Sequence, residues 1–386
     1  MNIKAIPYGK QYISESDIHA VINALTSEFL TQGPAIEKFE KEFAKYIGAK
    51  YAVALSNGTA ALHLCAMALN VNESCNVITT PITFAASANC IRYCGGQVYF
   101  ADIDAATYCL DINKVKTLIE SKPKGFFKGI IPVNFAGNAV NFEEYRKLAD
   151  EHGLWLIEDA CHAPGGYFTD SNGIKQNCGN GNFAQLAIFS FHPVKHIACG
   201  EGGMITTNDE QLYKKLLLLR THGITKDPNL LKENHGGWYY EMQTLGYNYR
   251  LTDFQAALGS SQLQRAEQGL ARRRAIAEQY QNAFENKSYI LSQSGVVDGH
   301  AYHLYVIQTP RRKELYEFLR FKNIFCQVHY IPVHKMPYYK QLGKQYLDLK
   351  NSEKYYDQCL SLPMFPSLVQ EEQVYVINCI NEFFNK

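Results

Sequence analysis

The chain has 386 residues and a formal net charge of +1, from 38 Lys+Arg against 37 Asp+Glu, so no global field draws it to nucleic acid or to an anionic membrane. At roughly 150 residues per domain, this length predicts two or three domains and a large core. The segment MNIKAIPYGKQYISESD lacks an apolar signal core, no run reaches the roughly 18 apolar residues of a membrane span, and the 11 cysteines are scattered without a C-x-x-C pair, so a reduced, cytoplasmic protein is expected.

In chain order, Ile18, Val21, Ile22 and Leu25 predict an amphipathic helix, and Ile36, Phe39 and Phe43 predict a second one after Pro34. Apolar, strand-like runs follow at 52–56, 76–82, 97–103, 129–135, 154–160, 185–191 and 203–208. They alternate with helical patterns such as 142–152, where Tyr145, Leu148 and Ala149 share a face. Runs this apolar suit strands covered on both sides, and the alternation predicts an α/β fold with a mostly parallel central sheet and flanking helices. Thr252 and Gln255 form a capping-box pattern that opens one long helix through 254–284, with Arg272, Arg273 and Arg274 on a solvated face. Short strands at 303–309 and 324–331 around a helix at 313–322 predict a smaller α+β unit, which places the domains at 1–250 and 251–386.

Ligands of parallel sheets sit at the carboxyl ends of the strands, so the residues just past each run carry the functional reading. Lys195, in FSFHPVK, follows the strand at 185–191. Apolar surroundings lower a lysine's pKa and free its amine to form a Schiff base; the alternative is a stem that snorkels to water. Asp159 ends LWLIED and reads either as a helix cap or as the carboxylate that keeps a pyridine nitrogen protonated. His162 stands near the same place or is a packed histidine. In SNGTAALHL the amides of Gly58, Thr59 and Ala60 and the Thr59 hydroxyl are placed for a phosphate at a helix start, or else for an ordinary tight turn. Ser190 is one more hydroxyl at a strand end, and Phe84, in TPITFAASAN, is either a ring-stacking aromatic or core. His192, His196 and Cys199 have a spacing that superficially suits a metal, but Pro193 and the strand pattern oppose the helix such a site needs, so no metal is expected.

Together with LTQGP, IEDACHAPGG, EGGMITT, LGYNYRLTDFQAALG and VHYIPVH, these stretches resemble the sugar aminotransferases of the DegT/DnrJ/EryC1/StrS family over nearly the whole chain. The resemblance implies the fold-type I architecture and pyridoxal 5′-phosphate as cofactor, passing through pyridoxamine 5′-phosphate. It makes Lys195 the Schiff-base lysine and proton shuttle and Asp159 the partner of the pyridinium nitrogen. Phe84 would stack on the ring, and Thr59, Ala60 and Ser190 would hold the phosphate. His162 stands where many members have glutamine. Asn248, in the NYR motif, implies a homodimer with shared active sites, because in relatives this asparagine reaches the neighbouring subunit's phosphate.

Some family members are 3-dehydratases with histidine in place of the lysine, so Lys195 favours transamination. The set is most similar to the UDP-sugar 4-aminotransferases of pseudaminic acid biosynthesis. This implies L-glutamate as donor and UDP-2-acetamido-2,6-dideoxy-β-L-arabino-hexos-4-ulose as acceptor, with another nucleotide-linked keto sugar as the alternative. Arg250 reads as an anion ligand or as a loop-supporting ion pair, and His329, Tyr330 and His334 read as substrate contacts or as packing around a strand end. A cofactor-binding regulator without turnover is the rival of a different class; the absence of an appended DNA-binding segment or basic tail stands against it.

Overall fold

The computed structural model describes residues 5–293 and 295–385. Helix α1 (Glu15–Leu25) starts at a reciprocal cap, with the Ser14 N–H on Asp17 Oδ2 at 2.8 Å and the Asp17 N–H on Ser14 Oγ at 3.4 Å. Pro34 opens α2 (Pro34–Ile47), and the amides of Gly33 and Ala35 at its start donate to the buried Asp253 carboxylate at 2.9 and 3.1 Å. The expected alternation then builds β1 (Tyr51–Leu55), α3 (Gly58–Ala68), β2 (Asn76–Thr79), α4 (Ala86–Tyr93), β3 (Gln97–Phe100), α5 (Ile112–Glu120) and β4 (Phe127–Ile131). It continues through α6 (Phe142–His152), β5 (Trp155–Asp159), β6 (Leu186–Ser190), β7 (Gly203–Thr207) and α7 (Glu210–Arg220).

These strands form one seven-stranded sheet in the order β1-β7-β6-β5-β4-β2-β3. Only β7 runs antiparallel to its neighbours, so the carboxyl ends of the other six strands open on one edge. Several strands stop before their apolar runs do: β2 ends at Thr79, β3 at Phe100 and β4 at Ile131. The reason is that Ile82, Ile103, Val133 and Phe135 are buried beyond those ends, where ladder pairing gives way to a turn, isolated bridges at Ile103 and Val133, and a 3-10 turn at Phe135, so apolarity outlasts the ladder.

The long helix expected over 254–284 is two helices, α8 (Asp253–Leu263) and α9 (Ala266–Phe284). At α8 the Thr252 N–H and hydroxyl both donate to Gln255 Oε1, at 3.3 and 2.7 Å. Between the helices, Arg265 leaves helical backbone (φ −116°, ψ 15°) and sends its guanidinium to Asp17 and to the Tyr12 carbonyl. The solvated-face reading of the arginine run is also corrected. Arg273 is 1% exposed and donates to the carbonyls of Tyr302, His303 and Met364, while Arg272 and Arg274 donate to those of Leu368 and His300. Beyond α9, β8 (Tyr305–Gln308) pairs antiparallel with β9 (Cys359–Leu362). The strand expected over 324–331 is confined to Ile324–Phe325, paired with Ile6–Pro7, and the chain after it runs irregularly toward the sheet's open edge. Among the described residues no helix is long and apolar enough to cross a membrane.

Candidate active site

A cavity of about 970 Å³ lies at the carboxyl edge of the sheet. Past β1, Asn57 caps α3, and Gly58, Thr59 and Ala60 line the cavity with the positive end of that helix. A Cβ on Gly58 would stand 3.1 Å from Ser190 Cβ, so glycine lets the helix start close against the end of β6. The Ala60 amide is taken by Asn57 Oδ1 at 2.8 Å and the Ala61 amide by the Asn57 carbonyl at 3.1 Å. The Ala60 amide is thus committed to Asn57, and Ala60 borders the cavity as wall, while Gly58 and Thr59 with its hydroxyl border the same turn.

Asp159 closes β5 and is 4% exposed. Its Oδ2 accepts from the Ser87 hydroxyl at 2.7 Å and its Oδ1 from the Cys161 N–H at 3.2 Å, while its side chain still borders the cavity. Lys195 stands past β6 on the same cavity, in a turn closed by its own N–H on the His192 carbonyl at 2.8 Å. Burial lowers the Lys195 pKa from its ordinary value; the nearby Cys161 and Asp159 oppose that shift and Arg273 adds to it. The neutral amine is the nucleophilic form, and this is the form the enclosure favours.

His162 is buried and held well below the ordinary histidine pKa, first by desolvation and then by the Lys195 charge. Its Nδ1 accepts the Ala136 N–H at 3.2 Å, which puts the proton of the neutral ring on Nε2, 3.3 Å from the Tyr330 hydroxyl. Ala136 adopts φ 58° to make that contact. Phe84, at the elbow between β2 and α4, is 64% exposed with Tyr330 at 6.3 Å, and so is a cavity wall, not core. His329 and Tyr330 also line the cavity. The His329 Nδ1 is 2.9 Å from Ser361 Oγ, and burial pushes its pKa down to about 3.

Two expected residues, Arg250 and His334, are not brought to this cavity. Arg250 lies outside the lining, and Asn248, expected at the neighbouring subunit's site, is exposed in the loop ahead of α8. His334 is buried against Phe100 and Tyr346, with Nε2 3.3 Å from Glu353. His192, His196 and Cys199 do not converge. His192 is exposed at the cavity, His196 Nε2 donates to the Ala301 carbonyl at 2.8 Å, and Cys199 packs into the core. Sequence reasoning missed Tyr8, Thr83, Ser87 and His303, all of which line the cavity. Tyr8 and His303 arrive from the two far ends of the chain, and no local pattern announces them.

A lysine amine, an ordered carboxylate and a helix N-terminus with hydroxyls thus face one cavity. This donor set fits pyridoxal phosphate, whose aldehyde, pyridine nitrogen and phosphate require those three groups. A profile of the DegT/DnrJ/EryC1/StrS aminotransferase family matches residues 11–381. The spore coat polysaccharide biosynthesis protein SpsC of Bacillus subtilis is 38% identical over 386 residues, covering 98% of this chain and 96% of that protein. The UDP-4-amino-4,6-dideoxy-N-acetyl-β-L-altrosamine transaminase of Campylobacter jejuni is 36% identical over 388 residues, covering 99% of this chain and 98% of that protein. Among solved structures, Helicobacter pylori PseC, an aminotransferase involved in the biosynthesis of pseudoaminic acid, superposes with a TM-score of 0.88 at 30% identity, covering 99% of this chain and all (100%) of that one.

Proposed function

Because the chain belongs to the DegT/DnrJ/EryC1/StrS aminotransferase family and is a pyridoxal phosphate-dependent sugar aminotransferase, we propose that it moves the amino group of L-glutamate to C4 of a UDP-linked 4-keto-6-deoxy-N-acetylhexosamine. The acceptor in this reading is UDP-2-acetamido-2,6-dideoxy-β-L-arabino-hexos-4-ulose, the keto form matching the product named in the Campylobacter relative. The observation that carries the chemistry is the meeting of Lys195, Asp159 and the α3 N-terminus on one cavity.

When bound, pyridoxal phosphate supplies the electron sink for a carbanion and stores the amino group between half-reactions. The Lys195 amine, whose pKa burial lowers, would anchor the cofactor and, once displaced, would take a proton from the glutamate α-carbon; in the second half-reaction it would deliver one to the sugar carbon. Asp159 would keep the ring nitrogen protonated, and Thr59, Ser190 and the first amides of α3 would hold the phosphate. His162 Nε2–H, His329 and the Tyr330 hydroxyl, which line the same cavity, would meet ring and sugar. Arg250 and His334 are left out of the contacts because neither reaches the cavity.

The assembly in this reading is a homodimer whose Asn248 crosses to the partner's phosphate. Asn248 is exposed, as are Ile18, Ile22, Leu25, Phe29 and Leu30 on and after α1, an apolar surface that suits a second copy. Light scattering that finds an active monomer overturns this assembly. The substrate is tested by offering UDP- and dTDP-linked 4-keto-6-deoxy sugars with L-glutamate and following 2-oxoglutarate release and aminated product by mass spectrometry. The expected result is C4 amination with a preference for the UDP-N-acetyl sugar. Preference for a different keto sugar replaces the substrate, and product with none of them removes the nucleotide-sugar reading.

A further inference from the structure

Asp159 is held by side chains that the resemblance does not mention. Ser87 in α4 is 1% exposed and sends its hydroxyl to Asp159 Oδ2 at 2.7 Å; Thr83, 2% exposed on the elbow before α4, has its Oγ1 2.8 Å from Ser87 Oγ. The direction of this pair follows from counting hydrogens. An ionised carboxylate only accepts, so it commits the single hydroxyl hydrogen of Ser87, whose oxygen must then accept from Thr83. The relay runs Thr83 O–H to Ser87 O–H to carboxylate.

Reversing it would send the Ser87 hydrogen to Thr83 Oγ1 and take it from the Asp159 carboxylate, exchanging a charge-assisted bond for an uncharged one. The Cys161 N–H on Oδ1 and the Cys161 thiol hold the carboxylate from the side opposite the Ser87 relay's bond on Oδ2. The donors fix the side-chain rotamer, and the same elbow carries Phe84, so ring wall and carboxylate are set by one short segment.

We propose that Ser87, backed by Thr83, is a positioning residue that keeps the Asp159 carboxylate aimed at the cofactor ring nitrogen. This rests on the reading of Asp159 as the ring partner. The Ser87→Ala, Thr83→Val, Thr83→Ser and Asp159→Asn variants and the Ser87/Asp159 double variant are compared as holoenzymes. Two quantities are read: the dissociation constant of pyridoxal phosphate, and the pH midpoint of the bound cofactor's visible absorbance. Loss of a hydrogen bond to a charged group predicts about tenfold weaker cofactor binding in Ser87→Ala and a midpoint moved by about half a pH unit or more. Thr83→Val shows a smaller change in the same direction, Thr83→Ser behaves as wild type, and Ser87→Ala adds nothing on top of Asp159→Asn.

If Asp159→Asn moves both quantities and Ser87→Ala moves neither, or if the two effects add in full, the relay is overturned and the role of Asp159 stands. If Asp159→Asn moves neither, the reading of Asp159 fails and the relay fails with it. Should Ser87→Ala not fold, the contrast between Thr83→Val and Thr83→Ser decides.

Discussion

At Lys195 the chain has left β6 and turned twice, with the Lys195 N–H on the His192 carbonyl at 2.8 Å and the Cys199 N–H on the Phe191 carbonyl at 2.9 Å. The side chain therefore projects into the cavity from a fixed backbone, not from a mobile loop. In the proposed mechanism Lys195→Ala removes both the anchor and the proton carrier, so turnover is expected to fall by about a thousandfold or more. Borohydride treatment of wild type should fix the cofactor at position 195 and leave none on the variant; full turnover by the variant would remove the lysine from the mechanism. Lys195 was legible because a cation in FSFHPVK is out of keeping with its neighbours, and Asp159 because it ends an apolar run. The direction of the His162 proton was not legible, since it depends on a backbone amide at φ 58° that lies 26 residues away. Ser87 was hidden for the same reason, its acceptor being 72 residues away in sequence.

Between β7 and the start of α3 the backbones approach so closely that a Cβ on Gly203 would lie 2.4 Å from the Asn57 carbonyl oxygen and 2.8 Å from the Gly58 nitrogen. Both atoms are main chain at the anion-binding turn, so relief requires the strand or the helix to move. Gly203→Ala is expected to cost about 1–3 kcal/mol in urea unfolding and to weaken cofactor binding at the same time. Gly237→Ala is the control, because nothing lies within 4 Å of its added Cβ. A Gly203 variant with unchanged stability and cofactor affinity would mean that the turn is not under this constraint. The alternation of strands and helices was legible because β1, β2, β5 and β6 are buried along nearly all their length, whereas their ends were not, because buried Ile82, Val133 and Phe135 carry the apolar signal into the loops. The break between α8 and α9 falls at Gln264 and Arg265, where neither glycine nor proline marks it. Nor does an arginine run in a helical pattern reveal that Arg273 ends among three carbonyls.

Across the whole molecule, buried titratable groups in and near the cavity bend the stability curve in opposite directions. His162, His196 and His303 have pKa values depressed first by burial, so the stability they carry is present above the ordinary value of 6.5 and is lost as pH falls below it. Glu158, next to Asp159 but packed with Asn134, Cys178 and the Gly179 backbone, goes the other way. Burial raises its pKa from 4.5 to about 7, against the hydrogen bond from Asn134 Nδ2 at 2.7 Å. Between those two values the folded protein binds a proton that the unfolded chain has released, so the contribution of Glu158 to stability falls as pH rises, by up to about 3 kcal/mol by pH 7. Glu158→Gln keeps an acceptor for Asn134 and never ionises. Its stability relative to wild type, from urea unfolding at a series of pH values, should therefore rise by about that amount from pH 4.5 to pH 7 and then level off. The histidine contribution is common to both proteins and cancels in the difference. A difference independent of pH would show that Glu158 ionises normally and that the floor beneath Asp159 is more open to water than its packing implies.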